Sequence, residues 1–269
     1  MKNRLILGLL VVITTSIISS GCKKKSSENP PAQAECESKY EAFFGESSST
    51  NETASVKYEN GKIKSLNSSS AVLRYEYFPD RVMISAAGKN VYRIDVVNAL
   101  ATKITDLSSS FEEQMSYDGN KNLIKIESYS DGKLIDTKTF SYSNGNLATL
   151  THTFTDDATV KRVTSYSYSN DIATKVDSET HQLLFGEADA YIPLPYLGSI
   201  SKNVLIGSSY AWTANNFQSN INKVYTYGRS GNGTINKIVE ETHTVTVGNG
   251  IQTQNEQLKQ TILITSTCN

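Results

Sequence analysis

The chain has 269 residues, with 26 basic and 27 acidic side chains and a formal net charge of −1. A balance this close to neutral argues against nucleic acid or a strongly charged substrate as partner. Fifteen tyrosines stand against eight phenylalanines and one tryptophan, so the aromatic content is dominated by rings that keep a polar tip.

At the N-terminus, Lys2 and Arg4 precede the apolar run Leu5–Ile18, and Ser19-Ser20-Gly21-Cys22 closes it with small residues before a cysteine. The run is short for a membrane span of about 20 residues, and the small residues fit cleavage better than anchoring. This resembles a bacterial lipoprotein signal with its lipobox, with Ser19 standing where such motifs usually carry Leu. The resemblance implies that residues 1–21 are a signal peptide and that Cys22 is lipidated. The lipid then anchors the chain to the outer membrane, and residues 22–34 (Lys23-Lys24-Lys25, then SSENPPAQA) form a flexible tether. Losing Lys2 and Arg4 leaves 24 basic against 27 acidic residues, a net charge of −3. No acidic run follows Cys22, which favours a periplasm-facing position, with the cell surface as the alternative. With Cys22 lipidated, Cys36 and Cys268 remain. An even pair in an oxidising compartment reads as a disulfide rather than two free thiols. Closing so long a loop contributes roughly 4–5 kcal/mol in the chain-entropy description, less any strain.

Residues 35–269 read as a single β domain. Glu35–Glu46 carries Tyr40, Phe43 and Phe44 at nearly helical spacing and reads as a short helix or turn over one end of the sheet. From Ala54 onward, short alternating runs are punctuated by tight turns at Asn60-Gly61, Pro79-Asp80, Gly119-Asn120, Asp131-Gly132, Asn144-Gly145, Asp156-Asp157 and Ser169-Asn170. Ala99–Ser110 fits either a strand pair or a loop. The rhythm breaks at Leu183–Asn203, where Pro193 and Pro195 punctuate an apolar segment that includes Leu194, Tyr196 and Leu197. That composition reads as an ordered crossover packed on the sheet. Hairpins resume from Ile221 to Thr265. The expected fold is an all-β curved antiparallel meander, with the crossover covering one face.

The hairpins share a core: Tyr58-Glu59-Asn60-Gly61 with Ile63, Tyr117-Asp118-Gly119 with Leu123 and Ile126, Tyr142-Ser143-Asn144-Gly145 with Leu147, Tyr168-Ser169-Asn170-Asp171-Ile172, and Tyr227 with Ile235 and Ile238. Leu147 and Leu150 are three apart, so either a bulge resets the register or both sheet faces are partly covered. These units resemble the YD-type repeats of Rhs-like proteins. The chain looks most like the small outer-membrane-associated lipoproteins, common in Bacteroidetes, that carry a few degenerate repeats of this kind. It lacks the strict Tyr-Asp and Gly-Arg-Leu signatures and is too short for the large shells of Rhs proteins.

No familiar catalytic motif stands out. His152, His181 and His243 each lie in a candidate strand without a partner at metal-ligand spacing. There is no nucleophile elbow or phosphate-binding loop. The expectation is therefore no catalytic residue, no metal and no cofactor. Tyr75/Tyr77, Tyr166/Tyr168 and Tyr225/Tyr227 stand two apart and line one face each. Together with Tyr196 and Trp212 they are the candidate ligand-binding residues, although a structural core is the simpler role for such rings. The function expected is a lipid-anchored envelope binding or scaffold module without catalytic activity, with a protein partner and no nucleic acid. The alternative is a carrier or receptor for an apolar or glycan ligand on the tyrosine-rich face.

Overall fold

The computed structural model describes residues 35–44, 51–68, 71–157, 159–173, 193, 196–199, 201–214, 217–231 and 235–268. The expected signal peptide, Cys22, the expected tether and most of the Leu183–Asn203 segment lie outside the described residues. Sixteen strands follow one another: β1 (Glu35–Phe44), β2 (Asn51–Glu59), β3 (Lys62–Ser68), β4 (Val72–Tyr77), β5 (Arg81–Ala86), β6 (Lys89–Val97), β7 (Leu100–Asp106), β8 (Phe111–Tyr117), β9 (Leu123–Ser130), β10 (Lys133–Ser143), β11 (Asn146–Phe154), β12 (Lys161–Ile172), β13 (Asn203–Ala214), β14 (Phe217–Arg229), β15 (Ile235–Gly248) and β16 (Ile251–Cys268). Every strand is antiparallel to its chain neighbours, and β1 also pairs with β16, so the sheet is a closed barrel.

The expected antiparallel hairpins are present, but the expected open, curved meander is not. The difference comes from β1. Its aromatic spacing suggested a helix or turn, whereas Cys36, Ser38, Tyr40 and Ala42 alternate as buried positions of an extended strand. Extended, β1 matches β16 from Cys36 opposite Cys268 to Phe44 opposite Gln260. That pairing joins what would be the two edges of an open sheet. The Ala99–Ser110 stretch resolves into β7 and a turn, in which Asp106 accepts the backbone N–H of Ser108 at 2.8 Å.

The repeated unit is a hairpin with a bulge. Asn144 and Gly145 take φ of +54° and +79°, as a type I′ turn requires. Ser141 pairs with Thr149 and Tyr142 with Leu147, so Ala148 is an extra residue on the outgoing strand. The bulge lets Leu147 and Leu150, three apart, both enter the core. Lys64, Thr102, Ile124 and Asn236 play the same part in four other hairpins. They allow the pairs Ile63/Leu66, Ala101/Ile104, Leu123/Ile126 and Ile235/Ile238 to be buried together.

All sixteen strands give at least one side chain to a single apolar cluster, from Tyr40 and Val56 through Ile84, Ile94 and Ile126 to Ile238 and Ile264. Sixteen-stranded barrels of open section leave an aqueous channel. Here Ile84, Ile94, Ile126 and Leu147 are completely buried, so the interior at this level is closed to water. The outward face carries charge: Lys103 pairs with Glu112, Arg93 with Asp95 at 2.9 Å, Lys125 with Glu127 at 3.0 Å and Lys259 with Glu241 at 3.1 Å. This alternation is the reverse of the lipid-facing apolar band of an outer-membrane barrel. Among the described residues, no helix is long and apolar enough to cross a membrane.

Candidate functional site

One end of the barrel is organised by tyrosines that stand just before a turn. Each reaches back to a carbonyl near the start of the preceding strand: Tyr77 donates to Ile63 at 2.9 Å, Tyr117 to Ala101 at 2.8 Å, Tyr142 to Leu123 at 3.0 Å and Tyr227 to Leu205 at 2.9 Å. Tyr168 instead meets the Ser201 hydroxyl at 3.2 Å, and that hydroxyl accepts the Leu147 N–H at 3.0 Å. One step deeper, Tyr75, Tyr166 and Tyr225 are buried in the core. Burial pushes the Tyr142 hydroxyl up to about 12, with Asp118 adding to the shift, and it pushes Tyr77, Tyr168 and Tyr225 up as well. All six paired tyrosines picked out from the sequence therefore face the interior.

The described part of the crossover lies across this tyrosine end, on the turns, rather than along a sheet face. Leu197 belongs to the apolar cluster, and the Tyr196 ring lies 6.4 Å from that of Tyr77. Ser199 donates its N–H to Lys121 at 2.8 Å and its hydroxyl to Asn120 at 2.7 Å. Lys202 donates to the Gly145 carbonyl at 3.0 Å, and Asn203 and Asn146 exchange two hydrogen bonds at 2.8 and 3.0 Å. Gly198 has φ +85°, and a Cβ there would stand 2.2 Å from the Lys121 carbonyl oxygen. Glycine is needed for both reasons.

Away from the tyrosine end, the inner face from β8 to β15 turns polar. Glu113 and Ser128 are 1% exposed. Lys138 Nζ is 3.7 Å from Glu113 Oε1. The Ser128 hydroxyl donates to Asp136 Oδ1 at 2.8 Å and lies 3.4 Å from Glu113 Oε1. His152 Nε2 is 3.2 Å from the same Asp136 oxygen, an ion-pair distance off the line of a good hydrogen bond. Burial alone would raise the Asp136 carboxyl. The His152 contact and the Ser128 bond, helped by the charge of Lys138, outweigh burial and hold it below the ordinary carboxylate range. Lys223 donates to Glu240 at 3.0 Å, and Thr242 donates to the same oxygen at 3.0 Å.

Register carries this polar surface around the barrel. Lys138 stands opposite His152, His152 opposite Arg162, Arg162 opposite Trp212, Trp212 opposite Ser219, Ser219 opposite Thr246, and Thr246 opposite Gln254. Arg162 and Trp212 share the inward parity of buried Tyr166 and of Leu205. The guanidinium lies 4.8 Å from the Phe154 ring centroid, and the indole is 5.0 Å from Phe217, edge to face. Arg162 Nε and Trp212 Nε1 are buried, and neither has a hydrogen-bond partner among the described residues.

Of the candidate ligand-binding residues picked out from the sequence, Trp212 alone joins this rung, and Tyr196 belongs to the crossover. His152 is part of the polar cluster, His243 lies outside with Nε2 2.8 Å from Asn255, and His181 falls outside the described residues. Sequence reasoning passed over Asp136, Lys138 and Arg162, and saw in Glu113 only half of an adjacent acidic pair, Glu112-Glu113, whose side chains point to opposite faces of a strand. The signal that could have found them is strand parity, since Arg162 lies on the face of Tyr166 and Lys138 on that of Phe140. Among the described residues, no group of three His, Cys, Asp or Glu side chains is placed to hold a metal.

The barrel is similar in fold to a porin-like protein. The likeness is to the porin-like protein from Bacteroides uniformis ATCC 8492, with a TM-score of 0.59 and 14% identity over 86% of this chain and 97% of the other. It bears on fold alone. A structure of TcdB2-TccC3-TEV matches at a TM-score of 0.24 and 10% identity, covering 78% of this chain and 15% of that one, a score that carries no argument. No protein-family model matches the chain, and no curated protein matches it.

Proposed function

We propose that this protein is a lipid-anchored binding or scaffold module of the cell envelope, without catalytic activity, whose barrel sits in water beside the outer membrane and faces the periplasm. The observation that carries this reading is the placement of charge. A single apolar cluster to which every strand contributes packs inside the barrel, and Lys, Arg, Asp and Glu pair along its outer wall. A Lys or Arg turned to lipid at the bilayer midplane would cost about 2–4 kcal/mol, so the wall suits water. Membrane attachment then falls to the acyl chains on Cys22. A disulfide between Cys36 and Cys268 fits the same oxidising address. Directly opposed residues of an antiparallel pair have Cα atoms about 4.5–5.5 Å apart, within the reach of a disulfide, and the bond would staple the seam where the barrel closes.

The experiment is membrane fractionation of Cys22→Ser. Release into the soluble fraction without detergent is expected. Retention in the membrane would overturn the lipid anchor in favour of an embedded barrel.

The second reading, a carrier for a small ligand, is favoured by the inward polar rung. The six paired tyrosines are engaged in the core and its hydrogen bonds, which leaves Trp212 and its neighbours as the better place for a ligand.

A further inference from the structure

The charges that face the interior from β8 to β15 are matched, with one exception. Glu113 lies against Lys138, Asp136 against His152 and the Ser128 hydroxyl, and Glu240 against Lys223. Arg162 has no carboxylate within ion-pair distance among the described residues. Its partners are a ring face, Phe154, and its register neighbours His152 and Trp212. Its Nε is buried without an acceptor, and so is the indole N–H beside it. Two adjacent N–H donors, Nε of a half-buried arginine and Nε1 of a half-buried tryptophan, are thus withdrawn from water with no acceptor among the described residues. Proteins rarely keep such groups unsatisfied.

The geometry points to a binding site for a small organic carboxylate, with Arg162 and Trp212 as its donors. A guanidinium presents parallel N–H groups that match the two oxygens of a carboxylate, and the indole supplies a further donor on the adjoining strand. One unmatched positive charge calls for a monoanion. A dianionic phosphate would leave excess negative charge against Glu113 and Asp136. Phe154 and Phe217 stand on either side of the donors, one packed on Arg162 and the other on Trp212, and give apolar walls for the rest of the ligand. This deepens the carrier reading and is independent of the lipid anchor, so failure here would leave the fractionation of Cys22→Ser unaffected.

Trp212 is the sole tryptophan of the chain, so its fluorescence reports on the site directly. The full chain, purified in detergent, is titrated with sodium hexanoate, with hexanamide as the uncharged isostere and sodium chloride at equal ionic strength. Hexanoate is expected to change the emission saturably, and the two controls are expected not to. Arg162→Gln should weaken the response at least tenfold. Should that variant fail to fold by circular dichroism, Arg162→Lys takes its place, with severalfold weaker binding expected because the fork is lost. An equal response to hexanamide, no saturable response, or an unchanged response in the folded Arg162 variant would overturn the proposal.

Discussion

The Tyr142 hydroxyl donates to the Leu123 carbonyl at 3.0 Å, tying the strand that enters one hairpin to the start of the strand before it. Tyr77, Tyr117 and Tyr227 repeat this relationship on other strands. The ring lies against the core and the oxygen reaches a carbonyl that the bulged ladder leaves available, so one residue type serves packing and backbone satisfaction together. Tyr142→Phe keeps the ring and strands the carbonyl. It should cost about 1–2 kcal/mol, read as a lower urea midpoint with an unchanged slope. An unchanged midpoint would mean that water replaces the bond and that the tyrosine is retained for its ring alone.

Much of this arrangement can be read from the sequence. Tyrosine, a tight turn and then apolar residues three apart describe the hairpin unit, and the spacing of Leu147 and Leu150 already required a bulge or two covered faces. Closure is harder to read. It depends on β1 meeting β16 from the far end of the chain, and no local pattern encodes that meeting. The buried positions of β1 include Cys36, Ser38 and Ala42, so its alternation is weak, while Tyr40 and Phe43 mimic a helix. The polar rung is hidden for another reason. Charged residues in a strand read as solvent-facing by default, and only the parity of buried neighbours shows that Lys138 and Arg162 point inward.

The Asp136 cluster should leave a mark on acid stability. Its carboxyl is held below the ordinary range in the folded state, so its contribution is present above the unfolded value, about 4. That contribution is lost as the pH falls through the folded value. Half-buried Asp106, Asp118 and Asp157, each lowered by hydrogen bonds within its own turn against the opposing effect of burial, act in the same direction, so the comparison must be differential. Asp136→Asn should be less stable than the parent at pH 7, and the gap should narrow toward pH 2. Urea midpoints measured across that range provide the check. A gap that stays constant with pH would assign the loss to packing rather than to charge.

The crossover offers a test of whether the tyrosine end is sealed or gated. Leu197 is 7% exposed within the apolar cluster, and Gly198 follows it at a backbone angle and a distance that a side chain cannot share with Lys121. A fixed seal predicts that Leu197→Ala lowers the stability of the whole barrel by roughly 2–4 kcal/mol, from lost burial and the cavity left behind. Gly198→Ala should also destabilise, because its Cβ meets backbone rather than a flexible side chain. The two substitutions act on one contact surface, so their double mutant should cost less than the sum of the single changes. A segment that opens freely predicts otherwise: both variants would unfold at the parent's urea midpoint, and amide exchange would quicken only near Lys121, Gly145 and Leu147.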